Sequence, residues 1–168
     1  SVEAKITERT KAIIAVHLAG NPCDMDPILD IARRRGITVI EDCAQSWLTR
    51  YKGRLAGTIG DYGCFSTNDF KHISTGDGGI VAVNSKNRED YLAAHAFADK
   101  NFRRFGTDVH RDLTHLAPNY RMTELQGAVG IAQLKKLPWI CERRRAYGDR
   151  LTAGIAGLPG IRPHQVDP

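Results

Sequence analysis

The feature that most constrains this chain is a strand, a helix and a second strand set close together between Ala12 and Ile40. Ala12 to Val16 is a short run of small and β-branched apolar residues and reads as a buried strand. A turn at Gly20-Asn21-Pro22 follows, then a helix with Asp24 as N-cap and Pro27 in its first turn, a place that tolerates a missing N–H. Met25, Ile28, Leu29 and Ala32 share one face of that helix, Gly36 closes it, and Ile37 to Ile40 resumes as a strand. Such a strand–helix–strand unit makes a right-handed crossover. Open parallel sheets bind ligands outside the carboxyl ends of their strands, so Glu41, Asp42 and Gln45 stand where chemistry is expected.

The alternation continues downstream and specifies an α/β class. Short strands at Gly63 to Ser66 and Ile80 to Val83 flank a loop that contains Lys71, and a helix from Arg88 to Phe97 packs through Tyr91, Leu92 and His95. A polar, basic stretch from Lys100 to His115 comes next. Thr123 and Gln126 then form a capping box before Leu125, Ala128, Val129, Ala132 and Leu134, which recur at helical spacing. Pro138 is expected to end that helix, and Trp139 to Leu151 reads as another, followed by a connection through Gly157, Pro159, Gly160 and Pro163.

Several function classes fall away on simple grounds. With 168 residues, 42% of them hydrophobic, the chain has the size and apolar content of one globular domain. No apolar run approaches the roughly 18 residues that cross a bilayer, and the first residues lack a secretory pattern, so a cytoplasmic protein with no membrane partner is expected. Cys23, Cys43, Cys64 and Cys141 form no Cys-x-x-Cys pair and read as free thiols. The net charge of +5 gathers at Arg33 to Arg35, Arg103-Arg104 and Arg143 to Arg145, but no aromatic platform accompanies it, so no nucleic-acid partner is expected. Gly76-Asp77-Gly78-Gly79 lacks the spacing of a phosphate loop and reads as a tight chain reversal. His110 and His115, with Asp108 and Asp112 beside them, match no strong ligand pattern, and no metal is expected.

Five segments carry a resemblance that periodicity does not supply. They are Val16-His17-Leu18-Ala19-Gly20 with Cys23-Asp24-Met25; Val39-Ile40-Glu41-Asp42-Cys43-Ala44-Gln45-Ser46; Gly60-Asp61-Tyr62-Gly63-Cys64-Phe65-Ser66; Lys71 to Gly79; and Asn119 to Gln126. In this order they resemble the sugar aminotransferases of the DegT/DnrJ type, enzymes that depend on pyridoxal phosphate (PLP) and have the aspartate-aminotransferase fold. The resemblance implies a three-layer α/β/α large domain with a mainly parallel sheet, of which residues 1–138 are the second half. Residues 139–168 would be a helix and connection toward a C-terminal small domain. It implies Lys71 as the Schiff-base lysine, Asp42 as the carboxylate paired with the protonated pyridine nitrogen, Gln45 near the ring hydroxyl, and Ser66 on the cofactor phosphate. Asn119 and Arg121 would reach the phosphate end of a neighbouring subunit's site, which makes a homodimer the expected assembly.

The activity implied is transfer of an amino group from an amino acid such as glutamate to a keto sugar, nucleotide-linked. Two departures bear on it. Asp69 sets a negative charge near Lys71, which favours the ammonium over the free amine unless the carboxylate points away, and Trp47-Leu48 stands where the family has a histidine-glycine pair. Alternatives are a PLP-dependent sugar dehydratase, in which histidine replaces the lysine, and a non-catalytic relative that only associates with other chains.

Overall fold

The structure, a computed structural model, describes residues 1–105, 108–111 and 115–164. Its centre is a four-stranded sheet of β1 (Ala12–Val16), β2 (Thr38–Asp42), β5 (Tyr62–Ser66) and β6 (Gly79–Val83), in the order β1-β2-β5-β6. The first three strands are parallel and β6 is antiparallel to β5. Between β2 and β5 a small antiparallel pair, β3 (Arg50–Tyr51) and β4 (Arg54–Leu55), folds back on itself.

The helix α1 (Met25–Arg35) connects β1 to β2 as expected and ends on Gly36 in the left-handed region. Its Met25 and Ala32 join Ala15, Val39, Tyr51 and Ile59 in the core, with Ile13, Cys23, Ile28 and Leu29 packed at the margin. Asp24 occupies the N-cap without bonding the helix; its Oδ1 accepts from the Tyr51 hydroxyl at 2.6 Å instead. Three arginines in the last turn, Arg33 to Arg35, complement the helix dipole.

Four expectations need correction. The strand β1 is not buried: Ile14 is 63% exposed and Val16 44%, because β1 is an edge strand and the core lies on its Ala15 side. The second strand does not stop at Ile40 but runs on to Asp42, and Glu41 is fully buried rather than at the edge. Its polarity is no obstacle to strand or burial, since every acceptor position finds a donor, as described below. Pro138 does not end a helix: α3 (Glu124–Leu134) stops earlier, and the proline sits in the first turn of α4 (Leu137–Ile155), where its missing N–H is not needed. The basic stretch forms a hairpin, β7 (Phe102–Phe105) with β8 (Asp108–Arg111). Of the acidic and histidine residues considered there as metal ligands, Asp112 lies outside the described residues.

The remaining helix, α2 (Arg88–Ala98), is opened by Asn87, whose side chain accepts from Glu89 N, and it runs into the β7 strand. The capping box of Thr123 and Gln126 is formed in full at the start of α3. Together these make a partial three-layer α/β fold with a mostly parallel sheet. No helix among the described residues is long and apolar enough to cross a membrane.

Candidate active site

The carboxyl ends of β2 and β5 lie side by side, with Asp42 paired to Cys64 in the parallel register and Ser66 two residues beyond. Asp42, Ser66 and Lys71 are half-buried there, and Gln45 is exposed. One carboxylate oxygen of Asp42, Oδ1, accepts from Ala44 N at 2.9 Å, which fixes the side chain at the strand tip. Gln45 Oε1 accepts from Ala19 N at 3.1 Å and so ties the loop after β2 to the loop after β1.

The segment after β5 is braced from within. Ser66 Oγ accepts from Asn68 N at 3.2 Å, and Lys71 N donates to Asn68 O at 3.1 Å, so Lys71 closes a tight turn. Thr67 and Thr75 share a hydroxyl–hydroxyl bond of 2.8 Å and a backbone bond, while Thr67 N donates to Gly78 O. Gly78 adopts φ +144°, and a side chain there would press on both threonine hydroxyls, which is why glycine ends this loop. His72, half-buried beside Lys71, has its pKa lowered by burial, then by Arg144 and Lys71. Asp69 is exposed, and among the described residues no ion pair joins it to Lys71.

Behind the tips sits a buried anchor that motif reading passed over. Glu41 Oε2 accepts from His17 Nε2 at 2.9 Å and Gly57 N at 2.8 Å, and Oε1 accepts from Ile59 N and Gly60 N at 2.7 Å each. His17 Nδ1 accepts from Cys23 N, so the proton it gives Glu41 is on Nε2. Burial pushes the Glu41 carboxyl up, yet these four donors outweigh it and hold the group below the ordinary carboxylate range. His17, Glu41 and Cys43 bring ligand atoms within 4.8 Å of one another. They make a poor metal site, because the lone pairs are already committed and burial pushes the Cys43 thiol up to about 12.

Trp47 also proves structural at the site. Its indole donates to Ser66 O at 3.0 Å and its ring packs on Phe65 at 4.8 Å between centroids, which locks the loop after β2 onto the end of β5. An aromatic in a segment expected to be a departure was the available signal.

Asn119 and Arg121 are not part of this group. Both are exposed and line a separate cleft of about 700 Å³ with Asp99 and Arg104. A more apolar cleft of about 740 Å³ lies between β6 and α2. Neither cleft is lined by Asp42 or Lys71. What fits PLP is the donor set itself: a carboxylate with an open oxygen at one strand end, a hydroxyl at the end of the neighbouring strand, and a lysine in the turn that follows.

Solved structures place this fold among the PLP-dependent aminotransferases. The aminotransferase from Psychrobacter cryohalolentis superposes on 92% of the chain, and 41% of its own, with a TM-score of 0.82 at 36% identity. Spr1654 from Streptococcus pneumoniae, solved in its PLP form, covers 93% of the chain and 44% of its own with a TM-score of 0.80 at 28% identity. The chain belongs to the DegT/DnrJ/EryC1/StrS aminotransferase family, whose model matches residues 1–168. Among curated relatives, GDP-perosamine synthase of Escherichia coli O157:H7 is 39% identical over 168 residues, 99% of this chain and 44% of that protein. The chain thus spans less than half the length of the relatives it matches.

Proposed function

We propose that this chain is the lysine-bearing part of a PLP-dependent enzyme that moves an amino group from an amino acid, such as glutamate, to a keto sugar carried on a nucleotide. The observation behind this reading is that Asp42 ends β2 beside β5, Ser66 ends β5, and Lys71 stands in the turn that follows, in a family member. Relatives named GDP-perosamine synthase support the nucleotide-linked sugar. Within the reading, residues 1–138 form the second half of the cofactor-binding domain and 139–168 lead toward a small domain. The protein works in the cytoplasm as a homodimer, with Asn119 and Arg121 serving the neighbouring site.

Each side chain has a distinct task. PLP, when bound, supplies an electron sink for the carbon that loses its proton. Lys71 would offer the nucleophilic amine and afterwards the group that carries a proton across the site, from a main-chain turn closed on Asn68. Asp42, with Oδ1 spent on Ala44 N, would present Oδ2 to a ring N–H and keep the ring cationic. Ser66 Oγ would bond the phosphate, and Gln45 would stand by the ring hydroxyl. Trp47 excludes water from the seam between the two strand tips.

Borohydride treatment of the PLP-loaded full chain should leave the mass of the reduced cofactor on the peptide containing Lys71. A Lys71→Ala variant should lose both that label and transamination. Normal turnover in Lys71→Ala would refute the role.

A further inference from the structure

The loop after β2 and the end of β5 are joined by a side chain outside the cofactor set. Trp47 is the second residue of a four-residue turn that begins directly after Gln45 and is closed by Thr49 N donating to Ser46 O at 3.1 Å. The third residue, Leu48, stands at φ +59°, a left-handed conformation that favours glycine and that a branched side chain holds under strain. Leu48 is 38% exposed, so burial does not offset that strain. The surroundings hold the turn instead: Thr49 Oγ1 donates to Gly20 O, Ala56 N donates to Thr49 O, and Cys141 Sγ on α4 donates to Trp47 O at 3.7 Å. A turn held in this way carries the indole across to β5.

There the indole meets the peptide that follows Ser66. Its carbonyl, Ser66 O, accepts from Trp47 Nε1 at 3.0 Å, and its amide, Thr67 N, donates to Gly78 O at 3.0 Å. One rigid peptide plane is therefore pinned at both edges. Asn68 N donates to Ser66 Oγ at 3.2 Å, and among the described residues the hydroxyl donates to no acceptor, so its proton is left for a ligand. The main-chain rung from Cys43 N to Cys64 O, 2.8 Å, lies farther back, and beyond it the next hydrogen bond between the loop after β2 and β5 is that of the indole. An indole nitrogen only donates, and the ring is packed on Phe65, so the bond has one direction and little play.

We infer that Trp47 is a positioning residue: by holding Ser66 O it sets the direction from which the Ser66 hydroxyl donates to a phosphate monoester. The assignment rests on the function proposed above, which makes that phosphate the one carried by PLP.

Equilibrium binding of PLP and of pyridoxal, the same aldehyde without its phosphate, to the full-length protein tests it. Trp47→Phe keeps a ring against Phe65 and removes the donor. It is expected to lower the ratio of PLP to pyridoxal affinity by about three- to tenfold, the contribution of one neutral hydrogen bond. A loss of packing alone would lower both affinities together and leave the ratio in place. Trp47→His, whose Nε2 takes the place of the indole nitrogen in a five-membered ring, should recover part of the ratio. In a Ser66→Ala background Trp47→Phe should change the ratio no further, because the hydroxyl it would steer is gone. Should Trp47→Phe not fold, Trp47→Met, apolar and without a donor, takes its place in the cycle. An unchanged ratio in Trp47→Phe, or a further drop of the same size in the Ser66→Ala protein, would overturn the assignment. Borohydride labelling separates it from the reading it rests on: an unlabelled Lys71 beside a Trp47-dependent ratio sinks the transaminase alone, and a labelled Lys71 beside an unchanged ratio sinks the role of Trp47 alone.

Discussion

Glu41 and Asp42 are neighbours with opposite fates. The place of Asp42 beyond an apolar strand run was legible in the sequence, whereas the roles proposed for Asp42, Ser66 and Lys71 rest on the family resemblance of the segments around them. The burial of Glu41 was not legible, because a charged residue reads as surface until its partners are known, and they come from residues 16 to 24 positions away. Replacing it with glutamine leaves donors facing a half-donor side chain in a place without water. Glu41→Gln should cost about 3 to 5 kcal/mol in urea unfolding at neutral pH. The pH dependence has a definite sign. The folded-state pKa of Glu41 is depressed, so its stabilisation is whole above the ordinary carboxylate range, about 4.3, and is lost as pH falls through the folded value. His72 acts in the same direction at higher pH: burial lowers its pKa, the unfolded chain takes the proton first, and stability begins to fall below about pH 6.5. Urea midpoints measured across that range should fall toward acid, and the Glu41→Gln variant should lose the lower part of the slope. A flat profile in both proteins would contradict this.

Among the elements, β5 is the one that sets the site, and its position depends on two glycines. A Cβ on Gly63 would come within 2.6 Å of Gly57 Cα, backbone against backbone, and Gly57 itself has φ +85°. Gly63→Ala should therefore destabilise by about 3 kcal/mol, since neither strand nor turn can yield. Gly127→Ala in α3, with open space around it, should stabilise by about 0.5 to 1 kcal/mol. Thermal unfolding of the pair checks both, and a Gly63→Ala protein as stable as the parent would show that the close approach is not rigid. The strand and helix order was readable because apolar runs of the right length repeat. The hairpin of β7 and β8 was not: with Arg103, Arg104 and His110 along it, its sequence has the charge of a loop, and only pairing reveals the strands. Helix ends near Pro138 were misplaced for a related reason, since proline marks either a stop or a start and only the neighbouring backbone decides.

At the scale of the whole molecule, apolar surface lies open on several elements. Leu125 is 81% exposed and Ile131 63% on α3, Trp139 is 64% exposed on α4, and Ile80 and Val81 are 42% and 56% on β6. Surface of this kind is a site of association. The 168-residue chain expressed alone should scatter light as a particle heavier than 18.6 kDa; a clean monomer would show that these residues cover one another in solution. The sheet adds a further consequence. Its two outermost strands are unlike, β1 running with its neighbour and β6 against its own, and among the described residues no further strand pairs with either outer margin. Joining like margins closes a pair and growth stops. Joining unlike margins exposes a fresh one at every addition, so an uncovered copy carries the geometry of an open-ended filament.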